Sequence, residues 1–228
     1  MNRYRAVFWD VYGTLLAAPR GDLESLVRRE AELRGAFEQT VRQFHLTMTA
    51  EQLHHRWLRA LAEQRAAKIA AGILHPEIRI EEVWQNLLPG SPAREVALYF
   101  ERRANPKKLQ PGARETLLAI QQRGLRQGII SNAQFYTLIE LREQLGGDFF
   151  DPGLIFLSCH LGVAKPDRTA FRLAANALVA HHIAPTECLF VGDSPVNDIE
   201  PAREVGFCPV LIGPTGDIQR LPQLLERL

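Results

Sequence analysis

Cysteine is scarce in this sequence, and the cysteines that are present lie far apart. Cys159, Cys188 and Cys208 are an odd number without a C-x-x-C pair, which argues against both a disulfide framework and a zinc site. An excess of charge of one sign is also missing, because 27 Lys and Arg residues face 26 Asp and Glu residues. Such a balance provides no overall field for polyanions. We therefore expect neither nucleic acid nor a membrane surface as a partner.

Long hydrophobic runs are absent from the start of the chain. The first ten residues, MNRYRAVFWD, contain no apolar stretch as long as the core of a signal peptide or a membrane span. Together with the unpaired cysteines, this pattern favours a reduced cytoplasmic location.

Three glycine-containing motifs are lacking as well. The sequence has no G-x-x-x-x-G-K-[ST] loop, no G-x-G-x-x-G after a strand and no G-x-S-x-G elbow. Nucleotide kinases, dinucleotide-dependent dehydrogenases and serine hydrolases therefore have no support from the sequence.

What the chain does contain is a series of short apolar runs separated by segments of helical spacing. The runs do not alternate between polar and apolar residues, as is typical of parallel strands that are covered on both faces. Strands that alternate with helices indicate an α/β fold with a doubly wound parallel sheet. The predicted strands are Ala6–Trp9, Arg126–Ile130, Leu154–Leu157, Cys188–Val191 and Cys208–Ile212.

The segment between the first two predicted strands has a different composition. From about residue 20 to residue 103 it is rich in Leu, Ala, Glu, Gln and Arg, which are good helix formers. Proline and glycine interrupt it repeatedly, so several helices are expected. We predict an α/β core formed by residues 1–17 and 104–228, with an all-helical domain of residues 18–103 inserted after the first strand.

Polar residues follow four of the predicted strands. In an open parallel sheet, ligands bind beyond the carboxyl ends of the strands. Taken singly, each residue has another explanation, such as a helix cap, a solvated loop lysine or an Asx-turn. Their shared position predicts one common site. The residues are Asp10, Ser131, Asn132, Lys165, Asp193 and Asp198.

The motifs D-V-Y-G-T, S-N, K-P and G-D-S-P-V-N-D, in this order, resemble those of the haloacid dehalogenase superfamily of hydrolases. The resemblance covers essentially the whole chain and implies a Rossmann-like core with a helical cap. It also implies a nucleophilic role for Asp10, a small anionic substrate and a Mg²⁺ cofactor. The implied catalytic residues are Asp10, Tyr12, Thr14, Ser131 and Lys165; the implied substrate-binding residues are Ser131, Asn132 and Lys165; the implied metal ligands are Asp10, Tyr12 through its carbonyl, Asp193 and Asp198.

Tyr12 departs from the phosphatase pattern of this superfamily. Phosphatases of the superfamily usually carry a second aspartate there, and such general acid–base help contributes roughly 10²–10⁴ in rate. A phenol, with a pKa of about 10, is a poor base at neutral pH. The motif D-x-Y-G-T-L resembles the 2-haloacid dehalogenase branch instead, because a departing halide needs no proton. That branch needs no metal, however, and typically lacks the paired acids of the fourth motif.

The paired acids favour a magnesium-dependent phosphohydrolase of atypical or low activity. A 2-haloacid dehalogenase is the second interpretation, and a binding or regulatory protein with little turnover is the third. Oligomeric state is not predicted. Several basic residues of the helical segment are candidate contacts for an anionic substrate, but a solvated helix face is the stronger explanation for all of them. They are Arg20, Arg42, His54, His55, Arg56 and Arg59.

Overall fold

The computed structural model describes residues 3–17, 30–213 and 217–221. The chain forms two compact units, one of Met1–Ala17 with Lys108–Leu228 and the other of Ala18–Lys107. Arg20, one of the candidate substrate contacts, lies outside the described residues.

The first unit contains a five-stranded sheet and a two-stranded sheet. All neighbouring strands of the five-stranded sheet are parallel, in the order β5-β4-β1-β6-β7. This arrangement, with helices on both faces, confirms the predicted doubly wound α/β fold. The strands are β1 (Ala6–Trp9), β2 (Leu16–Ala17), β3 (Lys108–Leu109), β4 (Arg126–Ser131), β5 (Ile155–Leu157), β6 (Cys188–Gly192) and β7 (Cys208–Leu211).

Within its described residues, the second unit is made of four helices: α1 (Glu30–Gln43), α2 (Ala50–Ala70), α3 (Ile80–Leu87) and α4 (Ala93–Ala104). Thr49 caps α2 in a reciprocal pair of hydrogen bonds with Gln52, which satisfies donors that the first helical turn leaves open. The aromatic rings of Phe37, Trp57 and Phe100 pack on one another in the core of this unit. None of the described helices is long and apolar enough to cross a membrane.

In the part of the first unit that the structure describes, five helices flank the parallel sheet. They are α5 (Ala113–Gln122), α6 (Tyr136–Leu145), α7 (Ser158–Leu161), α8 (Thr169–Ala180) and α9 (Glu200–Glu204). Leu117 of α5 and Leu141 of α6 belong to the hydrophobic cluster on one face of the sheet. Phe171 of α8 belongs to the cluster on the other face. The sheet is therefore buried between two helical layers, as the uninterrupted apolar strands require.

Strand β1 lies at the centre of the sheet, between β4 and β6. All four of its residues are buried. Trp9 joins the cluster that contains α5 and α6, whereas Phe8 stacks on Phe207 in the opposite cluster with ring centroids 5.7 Å apart. Because both faces of β1 are apolar, only the end of the strand can present a polar group.

The small antiparallel pair of β2 and β3 was not predicted. It joins Leu16 to Leu109, and a compact turn connects it to β1. In that turn Gly13 has a φ of 89°, a left-handed conformation that glycine adopts without a steric penalty.

Candidate active site

Several candidate residues lie at the carboxyl ends of three adjacent strands, β4, β1 and β6. Trp9, the last residue of β1, pairs with Ile129 of β4 and with Val191 of β6. The amide of Asp10 continues the ladder by donating to the carbonyl of Val191, at 2.9 Å. Residues that follow these strands therefore leave the sheet from the same edge. Asp10 and Ser131 lie at this edge, and Asp193 follows β6 there.

Asp10 is buried, with 4% of its surface exposed. One carboxylate oxygen, Oδ1, accepts a hydrogen bond from Ser131 Oγ at 3.1 Å. The same oxygen accepts a second hydrogen bond from Lys165 Nζ at 2.6 Å. The strand end, a hydroxyl and an ammonium thus hold the carboxylate in one orientation.

Lys165 connects two of the candidate carboxylates. Its ammonium lies 2.6 Å from Asp10 Oδ1 and 2.5 Å from Asp198 Oδ1, and its side chain is 4% exposed. A buried ammonium between two carboxylates balances part of their charge, which burial would otherwise make costly.

The side chain of Asn132 holds the backbone of Lys165. Asn132 Oδ1 accepts from Lys165 N at 2.7 Å, and Asn132 Nδ2 donates to Lys165 O at 3.1 Å. Sequence reasoning assigned Asn132 to the substrate, and its amide is engaged with Lys165 in this structure. Only the three-dimensional approach of the two loops discloses that contact.

A turn of π-helix, Pro195–Ile199, brings Asp198 back towards β6. Asp198 Oδ2 accepts from the amide of Ser194 at 3.0 Å, so both oxygens of this carboxylate have partners. Gly192 leaves the space that Asp198 fills, since a Cβ there would lie 2.5 Å from Asp198 Oδ2. π-helical turns are rare and are frequent at functional sites.

Asp193 is exposed and packs against the turn that follows Asp10. A Cβ on Gly13 would lie 2.1 Å from Asp193 Oδ2. Any residue other than glycine at position 13 would therefore displace this carboxylate, in addition to straining the positive φ. The absence of a side chain at Gly13 therefore lets the carboxylate of Asp193 lie directly against the turn that follows Asp10.

The clustering of the charges shifts their pKa values. Burial, with Asp198 and Asp193 adding to it, raises the pKa of Asp10 to about 7 against the pull of Lys165. The carboxyl group of Asp193 is partly desolvated although the residue is exposed, and this desolvation, together with the charge of Asp198, raises its pKa as well. Burial alone would lower the pKa of Lys165, but Asp10 and Asp198 outweigh it and raise that pKa above its usual value. An added cation beside Asp10 and Asp193 would favour their charged forms.

Oxygen atoms of Asp10, Asp193 and Asp198 lie within 4.8 Å of one another. Carboxylate oxygens are the ligands that Mg²⁺ prefers, and one or two of them are enough when waters and phosphate oxygens complete its coordination. The chemistry of this donor set therefore fits a divalent cation. Asp10 and Asp193 are the better candidates, because both oxygens of Asp198 already accept hydrogen bonds.

The side chain of Tyr12 extends to a neighbouring helix. Its hydroxyl lies 2.6 Å from Thr137 Oγ1, and Thr137 is fully buried in the first turn of α6. The sequence held no signal for Thr137, which lies 125 residues away from Tyr12.

Thr14 is fully buried in the turn after Asp10. Its Oγ1 atom has no hydrogen-bond partner among the described residues. A buried hydroxyl without a partner is energetically unfavourable, and an acceptor oxygen supplied by a ligand would relieve that cost.

The structure thus brings together Asp10, Ser131, Lys165 and Asp198 through direct contacts, and places Asp193 within the same acidic cluster. The described cap candidates belong to the second unit. Among them Arg59 lies 3.6 Å from Glu63 in an exposed i,i+4 pair, and His54 stacks on Phe37 with centroids 4.6 Å apart.

Comparison with known proteins gives a family and several relatives. The model of the haloacid dehalogenase-like hydrolase family matches residues 4–206. A phosphoserine phosphatase of Thermus thermophilus is 34% identical over 123 residues, which are 53% of this chain and 47% of that protein. A glyceraldehyde 3-phosphate phosphatase of Pyrococcus furiosus is 38% identical over 99 residues, 42% of this chain and 39% of that protein. The matches therefore span less than half the length of these relatives.

Two solved structures share the fold over almost the full length of both chains. A HAD phosphatase from Thermococcus onnurineus superposes with a TM-score of 0.60 at 19% identity, covering 97% of each chain. A 2-haloacid dehalogenase from Pseudomonas syringae gives a TM-score of 0.61 at 22% identity, covering 98% of this chain and 99% of that one. At these identities the likeness concerns the fold and does not distinguish the two reactions.

Proposed function

Because the chain belongs to the haloacid dehalogenase-like hydrolase family, we propose that it is a magnesium-dependent phosphohydrolase of small phosphorylated metabolites. The observation that carries this proposal is the acidic cluster beside the nucleophile. Asp10, Asp193 and Asp198 place carboxylate oxygens within 4.8 Å of one another. Repulsion among these carboxylates, which Lys165 offsets only in part, would be costly in a site that also holds a 2-haloacid carboxylate and has no metal ion. A metal ion bound at a phosphoryl-transfer site would offset the negative charge of the cluster.

In the proposed reaction, a carboxylate oxygen of Asp10 attacks the phosphorus atom of the substrate. A covalent aspartyl phosphate forms and the bond to the leaving group breaks, so that one difficult displacement becomes two easier steps. Water then bonds to the phosphorus atom, the bond from phosphorus to Asp10 breaks, and inorganic phosphate leaves as the Asp10 carboxylate is restored. Ser131 and Lys165, which contact Asp10 directly, hold the carboxylate in position and offset negative charge near it.

Asp10, Asp193 and the carbonyl of Tyr12 would hold the Mg²⁺ ion, with Asp198 anchoring Lys165 at 2.5 Å. When bound, the ion supplies stabilisation of the negative charge on the transferring phosphoryl group. We assign the hydroxyl of Thr14, buried and without a described partner, as a donor to a phosphoryl oxygen. The hydroxyl of Ser131, which donates to Asp10 in this structure, would turn to the phosphoryl group once Asp10 has bonded to phosphorus. We assign choice of substrate to the helical insert of residues 18–103.

Tyr12 is the reason to expect low or atypical phosphatase activity. It stands where phosphatases of the family carry a general acid–base aspartate, whose help contributes roughly 10²–10⁴ in rate. The hydroxyl of Tyr12 is hydrogen-bonded to Thr137 at 2.6 Å.

A 2-haloacid dehalogenase is the second candidate function. The first motif, in which Tyr12 follows Asp10 by two residues, favours it because the loss of a halide requires no proton. A protein that binds a ligand with little turnover is the third, and the intact contact of Lys165 with Asp10 speaks against it.

One parallel assay separates these functions. Phosphate release from acetyl phosphate and p-nitrophenyl phosphate is measured with Mg²⁺ and with EDTA, and chloride release from 2-chloropropionate is followed beside it. We expect phosphate release that requires Mg²⁺ and disappears in the matched variant Asp10→Asn. Phosphate release that persists in EDTA would refute the metal dependence, and chloride release without metal would establish the dehalogenase.

A further inference from the structure

The hydroxyl of Tyr12 is anchored to a buried partner. Thr137 Oγ1 lies 2.6 Å from it and belongs to a side chain with no exposed surface. Thr137 also lies in the first turn of α6, whose other buried residues include Tyr136 and Leu141. The hydroxyl of the phenol two residues after Asp10 is therefore held against a packed helix.

The carboxyl groups of Asp198 and Asp193, the other two members of the acidic cluster, are engaged in contacts of their own. Asp198 binds Lys165 through Oδ1 and the amide of Ser194 through Oδ2. Asp193 packs against Gly13, where we assign it to the cation. The side chains that contact the Asp10 carboxylate are a hydroxyl and an ammonium. In the described part of the chain, each carboxyl group of this cluster thus has a task other than giving a proton to a leaving group.

This arrangement constrains the first chemical step. As Asp10 forms its bond to phosphorus, the bond from phosphorus to the leaving oxygen breaks, and that oxygen keeps the electron pair. An alkoxide formed in this way must take up a proton as it departs, which is the help that a general acid gives. A carboxylate spreads the charge over two oxygens and departs without a proton.

We propose that this site prefers acyl phosphates and other phosphoryl donors whose leaving group departs as a stabilised anion. Phosphate monoesters of simple alcohols are poor substrates. This inference rests on the proposed phosphohydrolase function and narrows it to a class of substrate. It separates the chain from its named relatives, because phosphoserine and glyceraldehyde 3-phosphate are both esters of alkyl alcohols.

The test is a series of substrates graded by leaving group. With Mg²⁺ present, kcat/KM of the full chain is measured on acetyl phosphate, p-nitrophenyl phosphate, phenyl phosphate and phosphoserine, after subtraction of hydrolysis without enzyme. Phenyl and p-nitrophenyl phosphate are the matched pair, because they differ little in shape and strongly in the stability of the departing anion. The same ratios are measured for Tyr12→Asp and Tyr12→Phe, so that a loss of folded protein cancels within each variant.

We expect the native chain to prefer the better leaving group steeply, and Tyr12→Phe to keep that preference. Tyr12→Asp should raise the rate on phenyl phosphate and phosphoserine by roughly 10²-fold or more relative to acetyl phosphate, the scale of general acid catalysis. A native chain that is indifferent to the leaving group would overturn the inference and leave the phosphohydrolase function standing. So would a selective loss of phosphoserine hydrolysis in Tyr12→Phe, which would identify the phenol as the acid. No phosphate release from any substrate would remove both proposals.

Discussion

At the scale of single residues, Ser131 and Asn132 divide the end of β4 between two tasks. Ser131 is the last residue of β4, and Asn132 follows it outside the strand. Ser131 donates to Asp10, whereas Asn132 forms two hydrogen bonds with the backbone of Lys165. The position of the Lys165 ammonium, 2.6 Å from Asp10 Oδ1, therefore depends on the side-chain amide of Asn132, which itself bonds to the backbone of Lys165.

Replacing Asn132 should lower turnover more than it changes substrate affinity. In Asn132→Ala both hydrogen bonds to Lys165 are lost, and the ammonium moves relative to Asp10. Small misplacements of this kind cost up to about 10²-fold in rate. We expect kcat to fall by roughly 10-fold or more with KM little changed, as measured by steady-state kinetics on acetyl phosphate.

Asn132→Asp is a second variant, which keeps an acceptor for the amide of Lys165 but replaces the donor with a charged oxygen. Its kcat should also fall below that of the native chain, because the carbonyl of Lys165 loses its donor. In Asn132→Ala, which adds no charge, a rise in KM at unchanged kcat would instead assign Asn132 to the substrate, as the sequence alone suggested.

At the scale of the elements, β4 depends on a glycine in its interior. A Cβ on Gly128 would lie 2.3 Å from Phe8 Cε1 and 2.5 Å from the carbonyl oxygen of Leu154. Phe8 stacks on Phe207, and the carbonyl of Leu154 belongs to the backbone. Neither group can therefore move away from an added Cβ without a loss of packing. The strand that presents Ser131 can therefore approach β1 this closely only with glycine at this position.

Gly128→Ala should lower the free energy of unfolding by about 1–3 kcal/mol, the usual cost of overpacking a core. Gly35→Ala in α1 is the control, because a Cβ there meets no atom within 4 Å. In the interior of a helix this replacement should stabilise by about 0.5–1 kcal/mol. Urea denaturation of both variants measures the difference, and equal effects would contradict the packing argument.

The main sheet could be predicted from the sequence, because short apolar runs without alternation are typical of parallel strands that are buried on both faces. Arg126 begins β4 as predicted, although Leu154 closes a 3₁₀ turn before β5 and Ile212 falls just beyond β7. The strands β2 and β3 have only two residues each, which is too short to show a periodic pattern of apolar and polar residues. The contacts of Tyr12 with Thr137 and of Asn132 with Lys165 join residues 125 and 33 positions apart. The sequence predicts which polar residues follow each strand, but it does not predict which partner each polar atom will contact.

At the scale of the whole molecule, a cation bound by the acidic cluster should stabilise the folded chain. A ligand that binds only the native state adds about 2.7 kcal/mol at a concentration of 100 Kd. We therefore expect Mg²⁺ to raise the thermal unfolding temperature, and we expect this rise to shrink in Asp193→Asn. Differential scanning fluorimetry across a Mg²⁺ titration provides the measurement without reliance on turnover.

Asp148→Asn serves as the control for the loss of one acidic charge. Asp148 forms an exposed ion pair with Arg142 at 2.9 Å and takes no part in the acidic cluster. The Mg²⁺-dependent rise should persist in this variant. If Asp193→Asn kept the full rise as well, the assignment of Asp193 as a ligand would be wrong.

The central position of β1 has a consequence for biosynthesis. Both neighbours of β1 in the sheet, β4 and β6, are translated long after it. At ~5–20 residues per second, roughly 10–40 s pass between the synthesis of Trp9 and that of Val191. β4 is completed about two thirds of the way through that interval and β6 only at its end. Until then Ala6–Trp9, buried in the finished protein, lacks one or both of the strands that will pair with it. The strand that leads to Asp10 is therefore an apolar segment that must be kept from aggregating until its partners are made.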